Sequence, residues 1–410
     1  MQIIADLHVH SKYARATSKN NDLEGLSAGA KIKGIDVIAT GDFTHPQYFK
    51  EMQAQLKDDG TGLYSKNGVR FIISGEISLI YGKNRMHHVV LVPSLEIGAQ
   101  INDVLGKRGN LASDGRPILG LSSPEFAEII FSISRDNVII PAHVWTPWFS
   151  IFGSESGVDS VQEAFQDQTK NIFALETGLS SDPQMNWMLS MLDRYTLVSN
   201  SDAHSLEKLG REANVFDLSE ISYDSLINAI KTRKGFVKTY EFYPEEGKYH
   251  YDGHRNCKIV WNPWETKKHN GICPVCRKPV TIGVLNRVAE LADRKLGEKP
   301  PGAVPFQSIV PLATIISKVL KKGETTNAVR VEHGRLIKYF GNEFSVFEAT
   351  NEQMRLATSP EIAEAIARVQ MGKISWVPGH DGVFGELILE EGKGLDATDK
   401  KQSTLDEFIH

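Results

Sequence analysis

The sequence predicts an α/β chain built on a parallel barrel, followed by a small metal-held module and a further α/β domain. Three observations carry that expectation. Short apolar runs alternate with segments long enough for a helix about seven times before residue 244. Nearly every run ends beside His, Asp or Glu, and such barrels place their chemistry at the C-terminal ends of the strands. The three cysteines all fall between positions 257 and 276, too few for a disulfide framework but suited to one metal.

Ile3–Ala5 is the first strand, and Asp6-Leu7-His8-Val9-His10 follows it. Two histidines two residues apart on extended chain share a face and make half of a metal site. The next loop carries Lys12, Tyr13, Arg15 and Lys19, whose cations either hold a phosphate or are ordinary solvated charge. A helical stretch, Leu23–Ile32, ends at Gly34. Strand Asp36–Thr40 runs into Gly41-Asp42-Phe43-Thr44-His45, and strand Val69–Ser74 into Gly75-Glu76. His88 opens the apolar run Val89–Val92; His87 competes with it, and His88 is preferred because it directly precedes the strand. Val138–Ala142 ends in His143, Phe173–Leu175 in Glu176, and Thr196–Ser199 in Asn200-Ser201-Asp202-Ala203-His204. Pro124–Ser134 and Gln184–Arg194 are the intervening helical segments.

Imidazoles and carboxylates without thiolate suit Zn, Mn or Fe rather than a soft-metal site, and carboxylate-bridged ions can also be Mg. So many donors exceed the needs of one ion. Two or three divalent cations (Zn, Mn or Mg) are expected, bridged by Glu76 and Asp202, because a carboxylate can hold two cations and an imidazole cannot. Clusters of this kind hydrolyse phosphoesters by activating a water. Glu176 reads either as a general base or substrate contact, or as a capping carboxylate. Trp145, Trp148 and Phe149 follow His143 and either stack on a base or pack the loop on the barrel.

The series DLHVH, TGDFTH, GEIS, a His opening VVLV, PAH and SNSDAH resembles the PHP (polymerase and histidinol phosphatase) superfamily over about residues 1 to 240. That resemblance implies a distorted (β/α)7 barrel with a trinuclear metal centre. The implied ligands are His8, His10, Asp42, His45, Glu76, His88, His143, Asp202 and His204, with Asp202, Glu76 and Asp42 as catalytic carboxylates and Glu176 beside them. Several relatives carry a further His past the HxH pair, where this loop has Tyr13 and Arg15, so a weaker third metal position is expected.

Composition shifts past Tyr243-Pro244, and a barrel domain is drawn over 1–244. Within 245–283, His254-x2-Cys257 and Cys273-x2-Cys276 are two knuckles separated by fifteen residues. That is the spacing of a structural zinc ribbon or finger, with all four positions filled. His250 competes with His254, which alone gives the paired spacing. Lys258, Lys267, Lys268, Arg277 and Lys278 around it form a plausible phosphate-contacting surface. Residues 284–394 read as a small α/β substrate-binding domain, with helices at Val284–Lys295, Ile309–Leu320 and Glu361–Val369 and a turn-rich hairpin over Gly372–Gly385. Residues 395–410 form a polar tether ending in Gln402, Leu405, Phe408 and Ile409, the pattern of a peptide that docks on the sliding clamp PCNA.

Net charge is -5, so DNA contact must come from local basic surface rather than bulk electrostatics. No run approaches the ~18 apolar residues of a membrane span. A cytoplasmic monomer with no membrane partner is expected. Taken together, the barrel, the His/Cys module, the C-terminal domain and the clamp peptide resemble a PHP branch of DNA repair endonucleases. That resemblance implies cutting on the 5′ side of deaminated bases (hypoxanthine, uracil, xanthine) and abasic sites. The rival classes are a small-molecule phosphatase of the histidinol-phosphatase kind and a binding module on a dead barrel; the second would have lost ligands, and this chain keeps them.

Overall fold

The computed structural model describes residues 1–389. The barrel strands in chain order are β1 (Gln2–Asp6), β2 (Val37–Ala39), β3 (Val69–Tyr81), β4 (Asn84–Val92), β5 (Val138–Pro141), β6 (Ala174–Glu176), β7 (Thr196–Val198), β8 (Ala213–Asp217) and β9 (Phe236–Glu241). β1, β2 and β3 run parallel, as do β6 and β7. The rest departs from the all-parallel expectation. β4 folds back on β3 as an antiparallel hairpin and pairs antiparallel with β5, while β8 lies antiparallel to β1 and to β9. The turn at Gly82 makes the hairpin possible, so no helical crossover intervenes there. Side chains help close the ring where strand pairing lapses. Asn214 Nδ2 donates to the Ser199 carbonyl at 2.7 Å, and Leu7 N donates to Asn200 Oδ1 at 2.9 Å.

Helix α1 (Leu23–Lys33) shows how local sequence places these strands. Asp22 accepts from Gly25 N at the N-terminus, and Gly34 ends the helix with φ 89°. Leu23, Leu26 and Ala30 fall on one face and are fully buried, each leucine contributing roughly 2 kcal/mol of apolar burial. β3 is buried along nearly its whole length, so its apolar run is continuous rather than alternating.

One hydrophobic core joins the barrel to the chain beyond residue 284. Strand Phe306–Ser308 extends the barrel sheet by pairing with β9, and helices follow at Leu312–Leu320, Asn327–Phe340, Glu343–Phe347, Asn351–Ala357 and Pro360–Gln370. Strands Ser375–Val377 and Glu386–Ile388 pair antiparallel. The helices expected at Val284–Lys295, Ile309–Leu320 and Glu361–Val369 appear as Val284–Leu291, Leu312–Leu320 and Pro360–Gln370. Between barrel and helices in the chain lies the cysteine module, whose own buried core is Trp261, Cys273 and Val280, with Cys257, Ile259, Cys276 and Ile282 packed against it. Gln402, Leu405, Phe408 and Ile409 lie outside the described residues.

The helical region is locked to α1 by one buried carboxylate. Glu343 accepts from Lys33 Nζ at 2.7 Å and from Leu312 N at 3.1 Å, and His333 Nε2 lies 3.1 Å away. Burial alone would raise this carboxyl, but Lys33 and His333 outweigh it and hold its pKa down to about 2. A depressed acid stabilises the fold above its unfolded pKa, so the contribution is complete above pH about 4.5 and lost as pH falls towards about 2. Glu343→Gln is expected to destabilise the chain by about 3 kcal/mol at neutral pH. The check is a lower urea midpoint than the parent's, with the difference vanishing in acid.

Candidate metal centre

His8 and His10 leave the end of β1 on one face, as the two-residue period requires. Val9 pairs with Ala203, which brings the Asp202 loop alongside; Asp202 N donates to the His8 carbonyl at 2.9 Å. Asp6 Oδ1 and Oδ2 accept from Ser201 N and Gly210 N, and Arg211 donates from Nε to the Ser201 carbonyl, so the loop is fixed from behind. Glu76 lies in β3, with His87 and His143 reaching it from β4 and the end of β5. Asp42, His143 and Asp202 all have positive φ, at 46°, 31° and 47°. Such backbone costs on the order of 1–3 kcal/mol per residue and clusters where side chains must be aimed at a site.

Two groups of donors converge, each with its ligand atoms within 4.8 Å of one another: His8, His10, Glu76 and Asp202 form one, and Glu76, His87 and His143 the other. Glu76 belongs to both and is the bridge. His10 Nε2 lies 3.2 Å from Glu76 Oε2 and 3.1 Å from Asp202 Oδ1. His8 Nε2 is 3.7 Å from the same two oxygens. Yet the buried atoms His8 Nε2, His10 Nε2 and Asp202 Oδ1 make no hydrogen bond. Leaving such atoms unsatisfied is costly, and a divalent cation between them satisfies all three. The residues therefore fit the metals that the resemblance implies.

A second ring of carboxylates orients the imidazoles. His8 Nδ1 faces both oxygens of Glu176 at 3.1 Å, and His10 Nδ1 faces Asp42 Oδ1 at 2.9 Å. Each contact takes the Nδ1 proton and leaves Nε2 for a metal. Glu176 also accepts from His143 N at 2.8 Å and from Asn200 Nδ2 at 2.8 Å, while Asp42 accepts from Ser11 N and Oγ. Burial would raise the Glu76 carboxyl, but His87 and Arg116 outweigh it and hold it well below the usual range. Burial also presses the His87 imidazole down to about 4, against the pull of Glu76 beside it.

Several sequence expectations are corrected by this geometry. His88 is not at the centre. β4 begins at Asn84, so both histidines lie inside the strand; His87 pairs with Ser78, two residues from Glu76, while His88 pairs with Ile77. Adjacent strand residues face opposite ways, so His88 points to Ser123 Oγ at 2.8 Å and packs on Phe126 and Phe165. Asp42 orients His10 instead of joining either donor group, and Glu176 orients His8 instead of standing free as a base. His45 caps helix α2 (Pro46–Gln55), its Nδ1 accepting from Tyr48 N at 3.4 Å, and stacks on Tyr13. His204 stacks on His10 at the rim, 4.4 Å between centroids.

Among the expected substrate contacts, Lys12 is paired with Glu51 at 3.0 Å, and the Tyr13 hydroxyl donates to the same carboxylate. Trp145 is core: it is buried against Phe152 and its indole donates to Asn186. Arg15 and Lys19 remain exposed on the loop beside His204, which accepts from Ser18 N. In the cysteine module, His254, Cys257, Cys273 and Cys276 converge as expected; His250 is buried and stacked on Tyr251 away from them. Asn200, which donates to Glu176, and Arg116, which donates to Glu76, also belong to the site, and a polar residue inside a loop carries no spacing signal for such a role.

This fold and this constellation define a PHP-type metal-dependent hydrolase. Residues 194–234 match the family model described as PHP-associated, and residues 311–373 match the MJ0043 C-terminal domain. The crystal structure of the lesion-specific endonuclease PfuEndoQ from Pyrococcus furiosus matches with TM-score 0.87 and 33% identity, covering 95% of this chain and 96% of that one. Endonuclease Q bound to a 27-mer duplex substrate with an abasic lesion at its active site matches with TM-score 0.86, also at 33% identity, over 95% of this chain and 97% of that one. The chain belongs to the endonuclease Q family. YqxK of Bacillus subtilis is 27% identical over 94% of this chain and 99% of its own length. The uncharacterized protein MJ0043 of Methanocaldococcus jannaschii is 33% identical over 61% of this chain, which spans about a third (32%) of that protein's length.

Proposed function

We propose that this chain is a DNA repair endonuclease that hydrolyses the phosphodiester on the 5′ side of a deaminated base (hypoxanthine, uracil or xanthine) or an abasic site. The observation that carries the reading is the converging group of His8, His10, Glu76 and Asp202, set in a fold that matches endonuclease Q over 95% of this chain. Cations held there supply an activated water and neutralise charge on the leaving oxygen. The chain's own residues do the rest. Glu176 and Asp42 keep two imidazoles aimed inward, and Glu76 ties the two donor groups together. Arg15 and Lys19, exposed on the loop beside His204, would meet backbone phosphates in this reading. A base that pairs poorly costs less to flip, which favours damaged over intact nucleotides.

The test is a panel of duplexes, each carrying one uracil, hypoxanthine, xanthine or abasic site, incubated with the protein and Mn or Mg, with the ends mapped. Cutting only at the lesion, 5′ to it, supports the proposal; hydrolysis of small phosphomonoesters without any nicking would replace it with a phosphatase. We further propose that Gln402, Leu405, Phe408 and Ile409 dock on PCNA. Removing Gln402–His410 is then expected to abolish clamp association and spare basal cutting, as read by gel filtration with PCNA.

A further inference from the structure

Arg116 reaches the bridging carboxylate of the donor cluster from the loop that precedes strand Ile118–Leu119. Its Nη1 donates to Glu76 Oε2 at 3.1 Å, and its side chain is 27% exposed, so it stands between the bridging carboxylate and solvent. The loop that carries it is tightly held. Gly115 N donates to the Tyr13 carbonyl at 3.0 Å, Ser78 N to the Pro117 carbonyl at 3.0 Å, and Asp114 Oδ1 accepts from both Arg116 N and Arg15 N. A Cβ at Gly115 would lie 2.4 Å from Asp42 Oδ2, so only glycine lets the loop approach this closely. Among the described residues no acceptor other than Glu76 engages the guanidinium.

We propose that Arg116 binds a non-bridging oxygen of the scissile phosphodiester, a deepening that rests on the endonuclease reading above. Both Glu76 oxygens also face imidazoles of the two donor groups, Oε2 towards His8 and His10 and Oε1 towards His87 and His143. When those oxygens serve cations, a guanidinium beside them is drawn to the next anion to arrive. A phosphodiester is that anion, and the planar fork of arginine matches two of its oxygens.

The experiment compares the parent chain with Arg116→Ala and Arg116→Lys, each loaded with Mn. Four quantities are read: bound metal per chain, affinity for inorganic phosphate by calorimetry, single-turnover cutting of a lesion duplex, and hydrolysis of bis(p-nitrophenyl) phosphate. Arg116→Ala is expected to keep the parent's metal content, to bind phosphate at least about 10-fold more weakly, and to cut roughly 100-fold more slowly. Lysine should recover part of the loss, and added guanidinium ion should partly rescue the alanine variant. Cutting at the parent rate would overturn the proposal. So would loss of metal together with activity and no rescue by guanidinium, since Arg116 would then serve only to hold Glu76. If the parent nicks no lesion duplex while Arg116→Ala still weakens phosphate binding and diester hydrolysis, the endonuclease reading fails and the role of Arg116 stands.

Discussion

Asp202→Asn is expected to bind a lesion duplex as the parent does and to cut it roughly 10³-fold more slowly. Asparagine has nearly the shape of aspartate, and the loop is held by contacts that the change leaves alone. Asp202 N donates to the His8 carbonyl, and Arg211 donates from Nε and Nη2 to the Ser201 and Asp202 carbonyls. What disappears is the anionic Oδ1 that faces His8 and His10 without a hydrogen bond of its own. A neutral amide satisfies that geometry poorly and bridges cations worse. Fluorescence anisotropy with an uncut duplex, alongside single-turnover cutting, separates the two effects. Cutting at the parent rate would remove the metal mechanism.

Cys273→Ala is expected to unfold the module around residues 252–283 while the barrel stays folded. The module's own core is Trp261, Cys273 and Val280, far too small to hold a chain of this length. Its backbone is organised around the ligands themselves: Arg277 N donates to the Cys273 carbonyl at 2.9 Å, and Cys276 Sγ lies 3.6 Å from His254 Nδ1. A structural zinc contributes about 10–16 kcal/mol to such domains, more than anything else available here. The barrel draws on a separate and much larger core. Zinc analysis with limited proteolysis checks this. The parent should resist cleavage within the module, and the variant should be cut there and hold no zinc at that site. A resistant, zinc-free variant would show that the module folds on packing alone.

Small diesters and lesion duplexes should respond differently to the two changes. Asp202→Asn should slow hydrolysis of both alike, because the defect lies among the donors at the reacting group. Cys273→Ala should spare the small diester, because His8, His10, Glu76 and Asp202 all lie outside the module.

What the sequence determined by itself is the location of the chemistry and the identity of most donors. His8, His10, His143 and Asp202 stand just past strand ends, which in this architecture converge on one mouth, while Glu76 joins them from the middle of β3, a strand that runs on past the end expected at Ser74. The His/Cys spacing likewise determined the zinc cluster, since two knuckles close on one ion by local turns. Only the tertiary structure decided which donors face inward. His87 and His88 are indistinguishable in composition, and the antiparallel register of β4 on β3 selects His87. Asp42 reads as a ligand and Glu176 as a base, substrate contact or cap until the folded chain sets them against the Nδ1 atoms of His10 and His8. Arg116 reaches Glu76 because the short strand that follows it, Ile118–Leu119, pairs with Ser78 and Leu79 beside that carboxylate. The physical reason is one of range: strand periodicity acts over two residues, whereas register and loop closure depend on partners tens of residues away.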